Sequence, residues 1–147
     1  MRWPTGLAYR LVWTGLPAST RDKLGKLGTS AGGDSRAGLV SAAEAMAGAW
    51  ESATAVLSQF PAYIEKLRQF SVDHDLGIFD AGHDQLATDA MMAGLVYKPC
   101  GAGGGDVGIL LGPDEDELDD FMASQSASAC KVLACELEQN GVELEQH

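Results

Sequence analysis

The residues best suited to chemistry lie in one run, Lys98-Pro99-Cys100-Gly101-Ala102-Gly103-Gly104-Gly105-Asp106-Val107-Gly108-Ile109, where four of the five residues from Gly101 to Gly105 are glycine. Lacking a Cβ, glycine lets a ligand approach the backbone and accepts positive φ, so successive amide N–H groups can converge on an anion. Phosphate is the guest such a nest suits. A plain flexible hairpin is the alternative use of the same residues. Asp106, at the loop's exit, would repel a phosphate unless it caps the loop internally or faces a cation or a metal. Gly103, Gly105 and Gly108 formally satisfy G-x-G-x-x-G, but that dinucleotide pattern requires a helix opening on its last glycine. Val107 to Leu111 is instead an apolar, strand-like run, which excludes a dinucleotide site. No G-x-x-x-x-G-K-[ST] phosphate loop occurs in the chain.

Other reactive side chains are isolated. Cys100, Cys130 and Cys135 form an odd set with no C-x-x-C spacing, which argues against a disulfide framework or a zinc knuckle and for reduced thiols in the cytoplasm. Cys100 abuts the glycines, yet none of His74, His83 and His147 is placed by sequence as its base, so it reads as a small loop residue. His83 titrates near neutrality but has no acid or nucleophile fixed beside it, and reads as a helix-entry residue. No residue is assigned as catalytic and none as a metal ligand. The acidic run from Asp114 to Asp120 lacks the glycine and spacing of a calcium loop. It follows Pro113 and reads as a helix N-terminus, where carboxylates complement the macrodipole.

A chain of 147 residues is one domain with room for a core. Its formal net charge of −11 argues against nucleic acid or an anionic membrane as partner. Any phosphorylated ligand must therefore be met by local cations or amides. No segment approaches membrane-spanning length, and the N-terminus has no signal-peptide pattern.

Several elements must position the glycine loop. Leu7, Tyr9, Leu11 and Trp13 alternate with Ala8, Arg10 and Val12, the period of a half-buried strand ending at Gly15. Pro17-Ala18-Ser19-Thr20 opens a short helix through Leu24 and Leu27, and Gly28 to Gly38 reads as a mobile loop. Leu39, Ala43, Met46, Trp50, Ala53, Leu57, Phe60, Ile64 and Leu67 form one helical stripe, read as core. Pro61 is expected to split or kink it. Val72 to Gly82 connects to a helix from Asp84 to Gly94, and Leu95 to Lys98 and Val107 to Leu111 are strands flanking the glycines. Asp114 to Gln139 reads as a helix, interrupted near Ser124 to Ser128, and Val142 to Glu145 as a last short strand. This order predicts an α+β, ferredoxin-like (split βαβ) fold, a four-stranded antiparallel sheet with helices on one face.

Lys98 to Ile109, with Tyr97 before it, resembles the third signature motif of the GHMP kinases, in the form carried by phosphomevalonate kinases and mevalonate kinase-like proteins. Val12-Trp13-Thr14-Gly15-Leu16-Pro17-Ala18-Ser19-Thr20-Arg21 resembles the strand and turn that begin that family's C-terminal half. His83-Asp84-Gln85-Leu86 is similar to the approach to the third motif. The three matches span nearly the whole chain in the family's order.

The resemblance implies that residues 1–147 are a single GHMP C-terminal domain. The family's N-terminal half, with its Gly-Leu-Gly-Ser-Ser donor-phosphate loop, catalytic acid and lysine, is absent from this chain. The implied reaction is ATP-dependent phosphorylation of phosphomevalonate or mevalonate in isoprenoid precursor synthesis, with the isolated chain inactive. ATP and Mg2+ are expected only for the complete enzyme. Gly101, Ala102, Gly103, Gly104, Gly105 and Asp106 would bind phosphate or substrate, with Lys98 adding charge and Ser19, Thr20 and Arg21 contributing to the acceptor site. An N-cap cluster is the alternative reading of the last three. The implied partners are a phosphorylated small molecule and either the missing N-terminal half or a second copy. Two other functions stay open. One is a stand-alone ferredoxin-like module that binds a small anion or self-associates. The other is a fragment similar to diphosphomevalonate decarboxylases, whose catalytic aspartate sits in a Phe-Asp-Ala-Gly run like Phe79-Asp80-Ala81-Gly82, although His83-Asp84 replaces the expected Pro-Asn.

Overall fold

A computed structural model describes residues 2–27, 33–125 and 129–136. The elements are β1 (Ala8–Trp13), α1 (Thr20–Leu27), α2 (Asp34–Ala49), α3 (Ala53–Asp73), α4 (His83–Met92), β2 (Val96–Pro99), β3 (Val107–Gly112), α5 (Glu115–Ser124) and β4 (Lys131–Leu133). The strands form one sheet in the order β2-β3-β1-β4. Every neighbouring pair is antiparallel, with Tyr9 opposite Leu111, Leu11 opposite Leu133 and Tyr97 opposite Leu110. This is the split βαβ arrangement expected from the order of the elements, except that helices pack against both faces of the sheet rather than one.

Strand alternation divides the core in two. Val12, Leu110 and Tyr97 share one face and pack with Leu86, Ala87 and Ala90 of α4, Leu118 and Phe121 of α5, and Leu67 of α3. Val96 and Leu111 belong to the opposite face and pack with Met46 of α2 and Val56 and Phe60 of α3. The long helix α3 therefore joins both clusters, its N-terminal half in one and Leu67 in the other. On β1 the fully buried residue is Val12, while Arg10 on the same face reaches α5. There it meets Asp119 at 2.8 Å and 3.0 Å and Glu115 at 3.1 Å. The acidic run starts a helix as expected, with Asp114 as N-cap accepting from Glu117 N at 2.9 Å.

Four expectations are corrected. The helical stripe does not break at Pro61, which lies inside α3. Its break falls at Trp50–Ser52, where the Ser52 hydroxyl accepts from Ala55 N at 3.3 Å and caps the new helix. Proline interrupts one backbone hydrogen bond, and the apolar stripe packed on either side of it carries α3 through. The connection read from Val72 begins only after Asp73, where α3 ends. Of the loop read from Gly28 to Gly38, Asp34 onward is already α2, and residues 28–32 lie outside the described residues. The helix read through Gln139 stops at Ser124, and Lys131–Leu133 pairs with β1 as the fourth strand. Alanine, serine and cysteine around it carry little strand signal, so pairing with β1 decides its conformation. The strand read at Val142 to Glu145 lies outside the described residues.

Leu118 is fully buried between α5 and the sheet, with its side chain against the open α-face of Gly112. Leu118→Ala is expected to cost about 2–5 kcal/mol of folding stability. Urea unfolding followed by circular dichroism measures it.

Candidate functional site

The loop from Cys100 to Asp106 joins β2 to β3, and Cys100 N closes it on Val107 O at 2.8 Å. Positive φ runs through it, at Gly101 (59°), Gly103 (66°), Gly104 (73°), Gly105 (142°) and Asp106 (67°). Glycine is needed here for contact as much as for conformation. A Cβ on Gly103 would strike the Ile78 backbone, and one on Gly105 would lie 2.8 Å from Leu16 O and 3.1 Å from Pro17 O. The loop is thus wedged between the turn that follows β1 and the turn that precedes α4.

Hydrogen bonds lock that wedge. Gly104 N donates to Ile78 O at 2.7 Å, Gly103 N to Cys100 O at 3.2 Å and Asp106 N to Leu16 O. Asp106 O accepts from Thr14 N at 2.9 Å and from Thr14 Oγ1 at 3.2 Å. These three amides are therefore spent within the chain, which corrects the picture of a whole loop of amides turned to a ligand. Among the described residues, the amides of Gly101, Ala102 and Gly105 make no such bond. The Asp106 carboxylate is exposed, and the loop is tied through its backbone rather than through that side chain.

His83 is the residue sequence reading undervalued. It opens α4 and is 0% exposed, with Nε2 2.9 Å from Gly105 O and Nδ1 2.8 Å from the Tyr97 hydroxyl. A carbonyl can only accept, so Nε2 carries the proton and Nδ1 of the neutral ring accepts from Tyr97. Burial lowers the His83 pKa; the Gly105 carbonyl opposes this and the charge on Lys23 adds to it. Burial also pushes the Tyr97 hydroxyl far up, which keeps it a donor. Tyr97 in turn lies over Gly108, where any Cβ would collide with its ring. No local pattern reveals this bridge, because residues 83, 97 and 105 meet only once α4, β2 and the loop have packed.

The other sequence-selected residues are dispersed. Lys98 is half-buried and donates to Pro99 O at 2.7 Å, with burial lowering its pKa. The neighbouring Cys100 thiol is pushed up by burial, against the pull of Lys98. Ser19 and Arg21 are exposed at the start of α1, and Thr20 is that helix's first residue, its side chain outside the described residues. Asp80 is exposed and packs against the open α-face of Gly77. The cation that does reach the loop is Lys23, which donates to Leu76 O at 2.6 Å and Gly77 O at 2.9 Å and rests against Gly104. It lies about fifty residues from its partners, and no sequence signal marks it. Among the described residues, no three His, Cys, Asp or Glu side chains gather as a metal site. None of its described helices is long and apolar enough to cross a membrane.

A four-stranded split βαβ sheet whose β2–β3 hairpin carries a buttressed glycine loop defines an α+β domain of the ferredoxin-like class. Solved kinase structures share this fold. Streptococcus pneumoniae phosphomevalonate kinase in complex with phosphomevalonate and AMPPNP is 19% identical, with a TM-score of 0.75 over 89% of this chain and 40% of that one. The same kinase in a second structure gives 0.69 at 19% identity, over 85% and 38%. The Lin0012 protein from Listeria innocua gives 0.78 at 18% identity, over 88% and 39%. The chain thus spans about 40% of the length of these structures. No family model and no curated protein matches its sequence.

Two outcomes are expected for this site. Because the native His83 pKa is depressed, the unfolded chain binds the extra proton first, and stability falls as pH drops below the ordinary value of 6.5. Urea midpoints at about pH 7.5 and 5.5 should differ more for the wild type than for His83→Gln. Gly105→Ala should cost about 1–3 kcal/mol by forcing the loop off Leu16 and Pro17, measured by thermal unfolding.

Proposed function

We propose that this chain is the C-terminal half of a GHMP-type small-molecule kinase that phosphorylates phosphomevalonate or mevalonate. On this reading it supplies the acceptor side of the cleft. The observation that carries the reading is the Lys98–Asp106 loop, a GHMP third motif in sequence, held between β2 and β3 of a fold shared with phosphomevalonate kinase structures. The uncommitted amides of Gly101 and Ala102, which are not buried, are suited to phosphate oxygens, and a loop held on both sides keeps them oriented before substrate arrives.

Phosphoryl transfer depends on positioning donor and acceptor and on stabilising charge on the γ-phosphoryl group. The chain contains no Gly-Leu-Gly-Ser-Ser loop to hold the donor phosphates. ATP and Mg2+ therefore belong to the complete enzyme, and the N-terminal half is the partner proposed for this chain. Three free cysteines fit a reducing, cytoplasmic setting. A second reading, self-association of a stand-alone module, draws on the exposed Met91 and Met92. The decarboxylase-like reading draws only on the Phe79–Gly82 run, and nothing in the surroundings of Asp80 favours it.

ATP-dependent phosphorylation of mevalonate and phosphomevalonate is the test, with the chain alone and mixed with a matching N-terminal half. The expected result is no turnover alone and turnover on mixing. Robust turnover by the chain alone would overturn its incompleteness, and none on mixing would overturn the kinase reading. Sedimentation of the chain alone separates the self-association reading, which requires a dimer or larger species.

A further inference from the structure

We propose that His83 is a proton-operated latch on the glycine loop. Neutral, it holds the Gly105–Asp106 peptide in place; protonated, it releases that peptide while the sheet stays folded. That such a switch would regulate the acceptor side of a kinase cleft rests on the function proposed above; the switch itself does not.

The geometry sets both states. One peptide unit is gripped at its two ends, the Gly105 carbonyl by His83 Nε2 at 2.9 Å and the Asp106 amide by Leu16 O. The same ring takes the Tyr97 hydroxyl on Nδ1 at 2.8 Å, so the neutral form satisfies both partners. A proton added at Nδ1 sets N–H against O–H, and the Tyr97 hydroxyl has no other hydrogen-bond partner among the described residues. The groups around the ring do nothing to hold that charge. Lys23 of α1 carries a like charge, and Asp84, the next residue of α4, is paired with Arg68. Cys100 of the loop and Cys130 ahead of β4 act on Tyr97, and both keep it protonated. No carboxylate bonds the ring among the described residues. At 0% exposure the imidazolium gains no water either, so it forms only when one of the enclosing elements gives way.

The loop is the element that yields. α4 is anchored by Leu86, Ala87 and Ala90 in the core, and β2 is paired with β3 from Val96 to Pro99. Gly101 to Asp106 contains only glycine, alanine and aspartate, and backbone hydrogen bonds hold it.

The test is a pH titration of the full 147-residue chain from about pH 8 to about pH 5, read in imidazole and amide proton–nitrogen spectra. His83 should appear at high pH as the Nε2–H tautomer and titrate below 6.5, as its burial and Lys23 require. The amides of Gly105, Asp106 and Thr14 should shift with the same midpoint, and the Asp106 amide should lose its protection from solvent exchange there. Those of Leu11 and Leu110, inside the sheet, should not. In His83→Gln, which keeps a donor and an acceptor but cannot titrate, the loop response should vanish. Lys23→Met removes the like charge and should move the midpoint to higher pH; it decides the matter if His83→Gln does not fold. The proposal is overturned if the loop amides do not follow His83, if they still respond in a folded His83→Gln chain, or if the Lys23→Met midpoint stays or falls. Loss of loop and sheet signals together, which is unfolding of the domain, overturns it as well. No readout involves ATP or an acceptor, so the kinase reading can fail without touching the latch, and the latch can fail with the kinase reading intact.

Discussion

The neutral imidazole of His83 joins the two halves of this structure. Its ring spans Tyr97 of β2 and Gly105 of the loop, from the first position of α4, in surroundings that leave it no contact with water. One buried ring thereby sets the azimuth of the Tyr97 hydroxyl, the direction of the Gly105 carbonyl and the docking of α4. Fixing that carbonyl also fixes the other side of its peptide plane, because the amide of Asp106 must then point the opposite way, toward Leu16. A charged imidazolium would present a second donor to a hydroxyl that, among the described residues, hydrogen-bonds only to this ring, so the neutral ring is the form that fits.

Around that ring, glycine serves two separate needs. Gly101 has open space where a Cβ would go, so there the residue type answers to backbone conformation alone. Gly103, Gly105 and Gly108 answer to contact, with Ile78, Leu16 and Tyr97 respectively closing the space a side chain would occupy. A loop that reads as a flexible nest is therefore mostly a packed one.

The sheet was legible in the sequence because three of its strands carry strong local signals. Alternation in Leu7–Trp13, the apolar run Val107–Leu111 and the glycines between two strands located β1, β2 and β3. Elements set by tertiary pairing were not legible. Lys131–Leu133 is too short and too exposed to announce itself, and only the free edge of β1 makes it a strand. Pro61 misled for the converse reason, since local chemistry predicts a break that packing on Val56, Phe60 and Leu67 overrides. The loop was found from composition, whereas His83 and Lys23 act through partners far along the chain, where no spacing rule applies.

The wedge that holds the glycine loop has a kinetic corollary. Apart from the local bonds Gly103 N to Cys100 O and Cys100 N to Val107 O, its tie points lie near residues 14–17, 76–78, 83 and 97, so the bonds that hold the loop to its neighbours close long stretches of chain. Such bonds form late, after the loop-closure entropy of the surrounding elements has been met. A run this rich in glycine would ordinarily be the first segment to open and the first cut by a protease. Here the Gly104 amide is bonded across to Ile78, so opening the loop also breaks a tie to the segment that leads into α4.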